Sequence, residues 1–175
     1  MPPPRFLPDV PLPPYAHVPG RTPHPVNDPR GHSFGHAPQT PAAPDADDWT
    51  NCRAYLRGLD LFNHGFYWEA HEEWESLWHA CGRAGRTADF LKGLIKLAAA
   101  GVKVREGRPR GVAGHARAAA DRFRRRGDPD ERCLGLPLGE LARFAEAVAD
   151  SPPTSHDPAA AVEVVFATTL RPEPT

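Results

Sequence analysis

Between Trp49 and Arg108 there is no proline, although the 175-residue chain holds 22, well above the usual ~5%. Fourteen of them fall within the first 44 residues. Proline removes a backbone donor and pushes the residue before it toward extended conformations. Long helices are therefore excluded from the start of the chain and permitted after it. Other shortages narrow the function. Charge of one sign is not in excess: 22 acidic residues stand against 21 basic ones, which argues against a general nucleic-acid or membrane-surface binder. Cysteine is scarce and odd in number. Cys52, Cys81 and Cys133 make no CxxC spacing, which fits a reduced, cytoplasmic protein better than a disulfide scaffold. No run approaches ~18 consecutive apolar residues, so neither a transmembrane helix nor a membrane partner is expected. The opening "MPPPRFLPDVPLPP" lacks the apolar core of a secretory signal. Neither GxGxxG nor a P-loop occurs, so a nucleotide-dependent reaction has no support. No Ser-His-Asp set is readable, because a triad is known by geometry rather than order.

What is present divides into two materials. Residues 1–47 read as a Pro-rich extended arm, 48–150 as a helical domain and 151–175 as an extended tail. The arm is more than spacer: "PPYAHVPGRTPHPVNDPRGHSFGH" carries Tyr15, Val18, Phe34 and four histidines, so it is expected to lie on the body. The gaps between His24, His32 and His36 match no standard metal finger, and turn-forming contacts with the body are the simpler expectation.

Apolar spacing predicts helices over 49–63, 66–80, 87 or 89 to 106, 109–126 and 137–150. Asp47 or Asp48 is the expected N-cap of the first, and Gly65, Gly82, Gly107 and the Gly127-Asp128-Pro129 run punctuate the rest. Cys52, Tyr55, Leu56, Leu59 and Phe62 form the buried face of the first helix. The third, "FLKGLIKLAAAGVKV", is apolar or small almost all round, so it is the expected centre. Gly93, Ala98, Ala99, Ala100 and Gly101 keep it thin enough for close neighbours. The segment 162–170, "VEVVFATTL", is expected to pack extended on the helices with no strand partner. The fold class is all-α: a small single-domain helical bundle of about five helices with an N-terminal Pro-rich extended arm.

The second helix is the most informative stretch. At about 100° per residue, Phe66, Tyr67, Ala70, Trp74, Leu77, Trp78 and Cys81 share one broad core face. Glu69, Glu73 and Ser76 fall opposite, where water suffices to explain them. His71 lies at the edge of the core face, with Glu75 one turn on, and Trp68, Glu72 and His79 continue that flank. The i, i+4 spacing lets His71 and Glu75 reach each other or a shared ligand. A carboxylate at a semi-apolar edge is costly unless paired. One reading is a His71–Glu75 pair that fixes helix packing. The other is a ligand site, with a divalent metal or a small substrate held by His71 and Glu75, and Glu72 as a further candidate. "HEEWE" has Glu where HExxH has its second His, so the zincin motif is absent. His64, His79 and His115 are further metal-ligand candidates that no spacing selects among.

The two blocks "FNHGFYWEAHEEWESLW" and "FLKGLIKLAAAGVKVREG" together resemble the domain-of-unknown-function 309 (DUF309) family. That pattern is an aromatic-Asn-x-Gly lead-in, an EAHE-containing helix and a following GLIxLAAA helix, here over 55–125. The resemblance implies a small helical bundle and marks Asn63, Gly65, Glu69, His71, Glu72, Glu75, Trp78, Gly93 and Leu94, but implies no reaction. Lys92 and Lys96 stand where the family often has glutamine. With these positions, the candidate catalytic set is His71, Glu75 and Glu72, the candidate metal ligands are His71 and Glu75, and Glu69, Trp68, Trp78 and Asn63 are candidate ligand contacts. Lys92, Lys96 and Lys103 form a stripe on the third helix, either solvated or a cationic wall facing Glu72 and Glu75. "DRFRRRG", 121–127, reads as a solvated helix end rather than a nucleic-acid surface. Cys81 reads as packing. The first functional expectation is a small-ligand or metal-binding protein with a hydrolytic option. The alternative is a non-catalytic helical interaction module in which His71 and Glu75 lock helix packing and the arm wraps the body or a protein partner. A homo-oligomer through the third or fourth helix is left open.

Overall fold

The computed structural model describes residues 2–125, 128 and 130–173. Five α-helices follow a short 3-10 turn at Trp49–Asn51: α1 (Arg53–Asn63), α2 (Tyr67–Ala80), α3 (Arg86–Arg105), α4 (Pro109–Arg124) and α5 (Leu138–Asp150). Their order is the expected one, and the helical bundle is confirmed. The boundaries differ in instructive ways. The first helix does not run from residue 49: Cys52, in a non-helical conformation, separates the 3-10 turn from α1 and is only half-buried. Asp48 caps no backbone N–H, and instead accepts the side-chain amide of Asn51 at 2.7 Å. Helix α3 starts at Arg86 rather than at Thr87 or Asp89, with Gly85, at φ +92°, as its N-cap. Pro109 opens α4 at its first turn, where a missing N–H costs nothing. The stop expected after α4 falls on Gly127 and Pro129, which with Arg126 lie outside the described residues.

Helix α3 is the centre, packed against α2 on one side and α4 on the other. Its small residues act as sockets. A Cβ added at Gly93 would stand 2.4 Å from the Phe123 ring of α4, and one at Gly101 would stand 2.5 Å from the Tyr67 ring of α2. Each aromatic ring therefore lies on bare α3 backbone. Gly58 of α1 receives the Trp74 indole in the same way, at 2.1 Å. Phe62 lies between Tyr67, Trp74 and Phe166 at centroid distances of 5.3, 5.8 and 5.7 Å, close enough for edge and offset contacts.

A two-residue hairpin escaped the sequence reading. β1 (Arg132–Cys133) pairs antiparallel with β2 (Leu136–Pro137), and the turn places Leu134 at φ +47° and Gly135 at φ +78°. Both central residues are left-handed, as this tight hairpin turn requires. Tyr55 donates its hydroxyl to the Leu134 carbonyl at 2.9 Å and pins the turn to α1.

The segment 162–170 forms no strand, as expected, and is held by side chains acting as a strand edge. The Asn63 amide donates to the Leu170 carbonyl at 2.9 Å and accepts the Leu170 N–H at 2.8 Å. The Tyr67 hydroxyl accepts the Val165 N–H at 2.9 Å. Phe166 and Leu170 are buried between these tethers. No helix among the described residues is long and apolar enough to cross a membrane.

The sockets predict opposite outcomes for one substitution. Gly101→Ala should destabilise by about 1–3 kcal/mol through overpacking against Tyr67. Gly114→Ala, whose added Cβ meets nothing within 4 Å, should stabilise by about 0.5–1 kcal/mol. Urea midpoints of the two variants moving in the same direction would contradict the socket account.

Candidate functional site

Helix α2 carries two polar edges on opposite sides of its aromatic core. On one edge, His71 Nδ1 lies 3.1 Å from Glu72 Oε1 and 3.9 Å from Glu75 Oε2. The ligand atoms of these three residues lie within 4.8 Å of one another, close enough for one ion. His71 and Glu75 are 26% and 33% exposed, so solvent and solutes reach them. Lys92 of α3 stands 3.8 Å from Glu75 Oε1, and its ammonium lies 3.9 Å from the centre of the Trp78 ring. The cationic-wall expectation therefore holds for Lys92 and Glu75. Lys103 turns instead to Glu106, at 2.7 Å. His79 accepts from Arg83 Nε at 2.8 Å, and His64 Nδ1 donates to the Asp60 carbonyl at 2.7 Å. The structure brings neither to the His71 edge. His115 of α4 is half-buried; burial pushes its imidazole below the ordinary value, and the charges of Lys96, Lys103 and His71 push the same way.

The opposite edge corrects the sequence reading. Glu69 is not a solvent acid: it is 7% exposed. One oxygen, Oε1, accepts the His17 N–H at 2.8 Å and lies 3.1 Å from His32 Nε2. The other, Oε2, is buried with no hydrogen-bond partner among the described residues. Glu73 is also not freely solvated, since burial raises its carboxyl above the usual range while Arg57 pulls it back. Ser76 is half-buried and donates to the Glu72 carbonyl at 3.1 Å. The helical wheel failed here because the first 36 residues, not water, cover this side. Trp68 lies on the same edge, its ring 5.0 Å from His17 and 5.3 Å from His24. Tyr15 meets His32 at 4.8 Å and donates to the Pro23 carbonyl. His17, His24 and His32 thus contact α2 through Trp68 and Glu69. His36 joins none of them; its backbone N–H bonds Ser33.

The other predicted residues take structural places. Both polar groups of Asn63 are used by Leu170, away from His71. Trp78 lies at the His71 edge and Trp68 on the other, so the four expected ligand contacts do not converge. Two arginines of the basic run of α4 are used in ion pairs: Arg122 reaches Asp89 at 2.9 Å and Arg124 pairs with Glu146. Burial raises the Cys81 thiol and lifts Cys133 to about 11, which leaves both as packing groups near neutral pH.

Two charged residues were missed. Asp60 is fully buried and accepts the Phe6 and Leu7 N–H groups at 2.7 and 2.9 Å. Arg105 is 2% exposed, donates to the Ala160 carbonyl at 2.6 Å and lies 3.6 Å from Glu163. The available signal was position: Asp60 interrupts Leu59 and Leu61 within the apolar arc of its helix. A cleft of about 190 Å3 opens elsewhere, between Leu136, Glu140, Phe144, Thr168 and Arg171, and none of the predicted site residues lines it.

Comparison with known proteins agrees with the motif blocks. Residues 55–114 match the model of the family described as a domain of unknown function (DUF309). The match takes in α2, α3 and the first turns of α4, and with them every residue of the His71 edge. No curated protein matches the chain.

Two measurements test the buried edge. Glu69→Ala strips a partner from the His17 N–H and from His32, and should cost about 1–3 kcal/mol, with faster amide exchange over 15–36. Unchanged exchange there would refute the anchoring role. The His17 imidazole is pushed below its ordinary 6.5, first by burial and then by the charge of His24, with Glu69 opposing. Its contribution is therefore complete above pH 6.5 and is lost as pH falls through the lowered value. The urea midpoint should drop between pH 7 and 5, and less so in His17→Asn.

Proposed function

We propose that the chain is a small-ligand protein whose site is the His71, Glu72 and Glu75 edge of α2, with a divalent metal as the preferred occupant. The carrying observation is the convergence of one imidazole and two carboxylates within 4.8 Å on an accessible helix face. Imidazole with carboxylate suits manganese, iron or zinc better than a purely oxygen-liganded ion. Three ligands from one helix leave coordination positions open on the solvent side. A water there would be acidified, which is how such a site supports hydrolysis. Glu72 is the most exposed of the three, at 48%, and serves as metal ligand or as base for that water.

The lock reading has its own observation, the Glu75–Lys92 pair that ties α2 to α3 beside Trp78. Magnitude weighs against it as the main purpose. A pair this exposed contributes about 0.2–1 kcal/mol, and the aromatic sockets of α3 outweigh that.

Natively purified, untagged protein should contain near-stoichiometric metal by mass spectrometry. His71→Ala and Glu75→Ala should both lose it while melting within a few degrees of the parent, since neither group is buried. Metal-free parent protein, with both variants melting early, would sink the ligand-site reading in favour of the lock.

A further inference from the structure

Four contacts set the axial register of the three helices around the lysine stripe. On the α2 side, Lys92 meets Glu75 and Gly101 receives Tyr67. Interpolating between them places His71 level with Lys96. On the α4 side, Gly93 receives Phe123, and Gly111 lies under the Lys103 stem, whose Cδ would be 3.1 Å from an added Cβ. Interpolation there places His115 between Lys96 and Lys103. Helical spacing puts Lys92, Lys96 and Lys103 on one α3 face. That face lies between His71 of α2 and His115 of α4, close enough for Lys96, Lys103 and His71 to act on the His115 imidazole.

The polar groups along this face are not all paired. Lys92 has Glu75, and Lys103 has Glu106. Lys96 has no ion pair among the described residues, and His115 has no hydrogen-bond partner among them. Both are half-buried. Glu72 and Glu75 are the nearby acids of α2, and each already contacts His71. Positive and donor groups held together without a counter-ion are costly, and an anion relieves that cost. Lysine binds phosphate as a compact point charge, and an imidazole N–H adds a directed donor. After burial, the charges of Lys96, Lys103 and His71 push the His115 imidazole below its ordinary value while Glu106 opposes them, which agrees with this placement.

We infer that Lys96 and His115 form an oxyanion subsite beside His71 that takes a phosphate group of the ligand bound at the α2 edge. The inference rests on the proposed α2 site and names its ligand class, a phosphate monoester. The metal-side groups would meet one oxygen of that group and Lys96 another, so the ligand bridges α2 and α3.

Calorimetric titration of the full chain separates the two ideas. The probes are manganese alone, inorganic phosphate alone, phenyl phosphate with and without manganese, and acetate as a carboxylate control. Phosphate and phenyl phosphate should bind, acetate at least tenfold more weakly. Lys96→Met and His115→Gln should each weaken phosphate binding about tenfold or more, yet leave manganese affinity unchanged. Arg117→Met, on an exposed arginine paired with Asp150, should change neither. Manganese binding without phosphate binding overturns the subsite and spares the α2 reading. Phosphate binding lost in Lys96→Met, without any manganese binding, upholds the subsite and removes the metal. Equal losses in Lys96→Met and Arg117→Met would show a general charge effect and overturn it.

Discussion

Two buried carboxylates set the course of the irregular half of this protein. Asp60 and Glu69 are cut off from water by a segment too rich in proline to form helix or strand. Such a segment cannot satisfy its own backbone donors, and carboxylates cannot be buried without donors. Each deficit answers the other. Asp60 takes the N–H groups of Phe6 and Leu7, and Glu69 takes that of His17. Charge-assisted bonds of this kind are about twice as strong as neutral ones. They let some 35 residues without regular structure hold a defined path over α1 and α2. The tail follows the same logic with neutral groups, through Asn63 and Tyr67.

This arrangement divides α2 by function. Its core face packs inward through Ala70, Trp74 and Leu77. One flank is committed to holding the first part of the chain. The other, His71 with Glu72 and Glu75, is left accessible over the α3 lysines. The acidic richness of "WEAHEEWE" thus reflects separate demands superimposed on about two helical turns, so neighbouring glutamates differ in role. Glu69 and Glu72 are three residues apart, yet one is buried under the arm and the other is the most exposed member of the open edge.

Local features were legible in the sequence and long-range ones were not. The thin central helix could be read because Gly93, Gly101 and the alanines advertise close approach by their size alone. The His71 edge could be read because its three members lie within one helical turn. Glu69 could not, since a helical wheel records only its own helix, and its partners are His17 and His32, more than thirty residues away. The hairpin at 132–137 was hidden for a different reason. Its left-handed turn is made by Leu134 and Gly135 rather than the usual Asn-Gly, so nothing in "CLGLPL" signals a hairpin. The break at Cys52 had no glycine or proline to announce it.

Three of the four tryptophans fall into an arrangement with an optical meaning. Trp74 is fully buried, its indole N–H pressed on Gly58 without an acceptor among the described residues. Buried in the aromatic core beside Phe62, it should emit toward the blue end of the tryptophan range. Trp68 touches the imidazoles of His17 and His24, and Trp78 lies under the Lys92 ammonium. Protonatable rings and cations beside an indole change its emission intensity. The molecule therefore carries a separate native chromophore for its core, for the segment wrapped over α2, and for the open edge. Events at each can be followed by light without attaching anything to the protein.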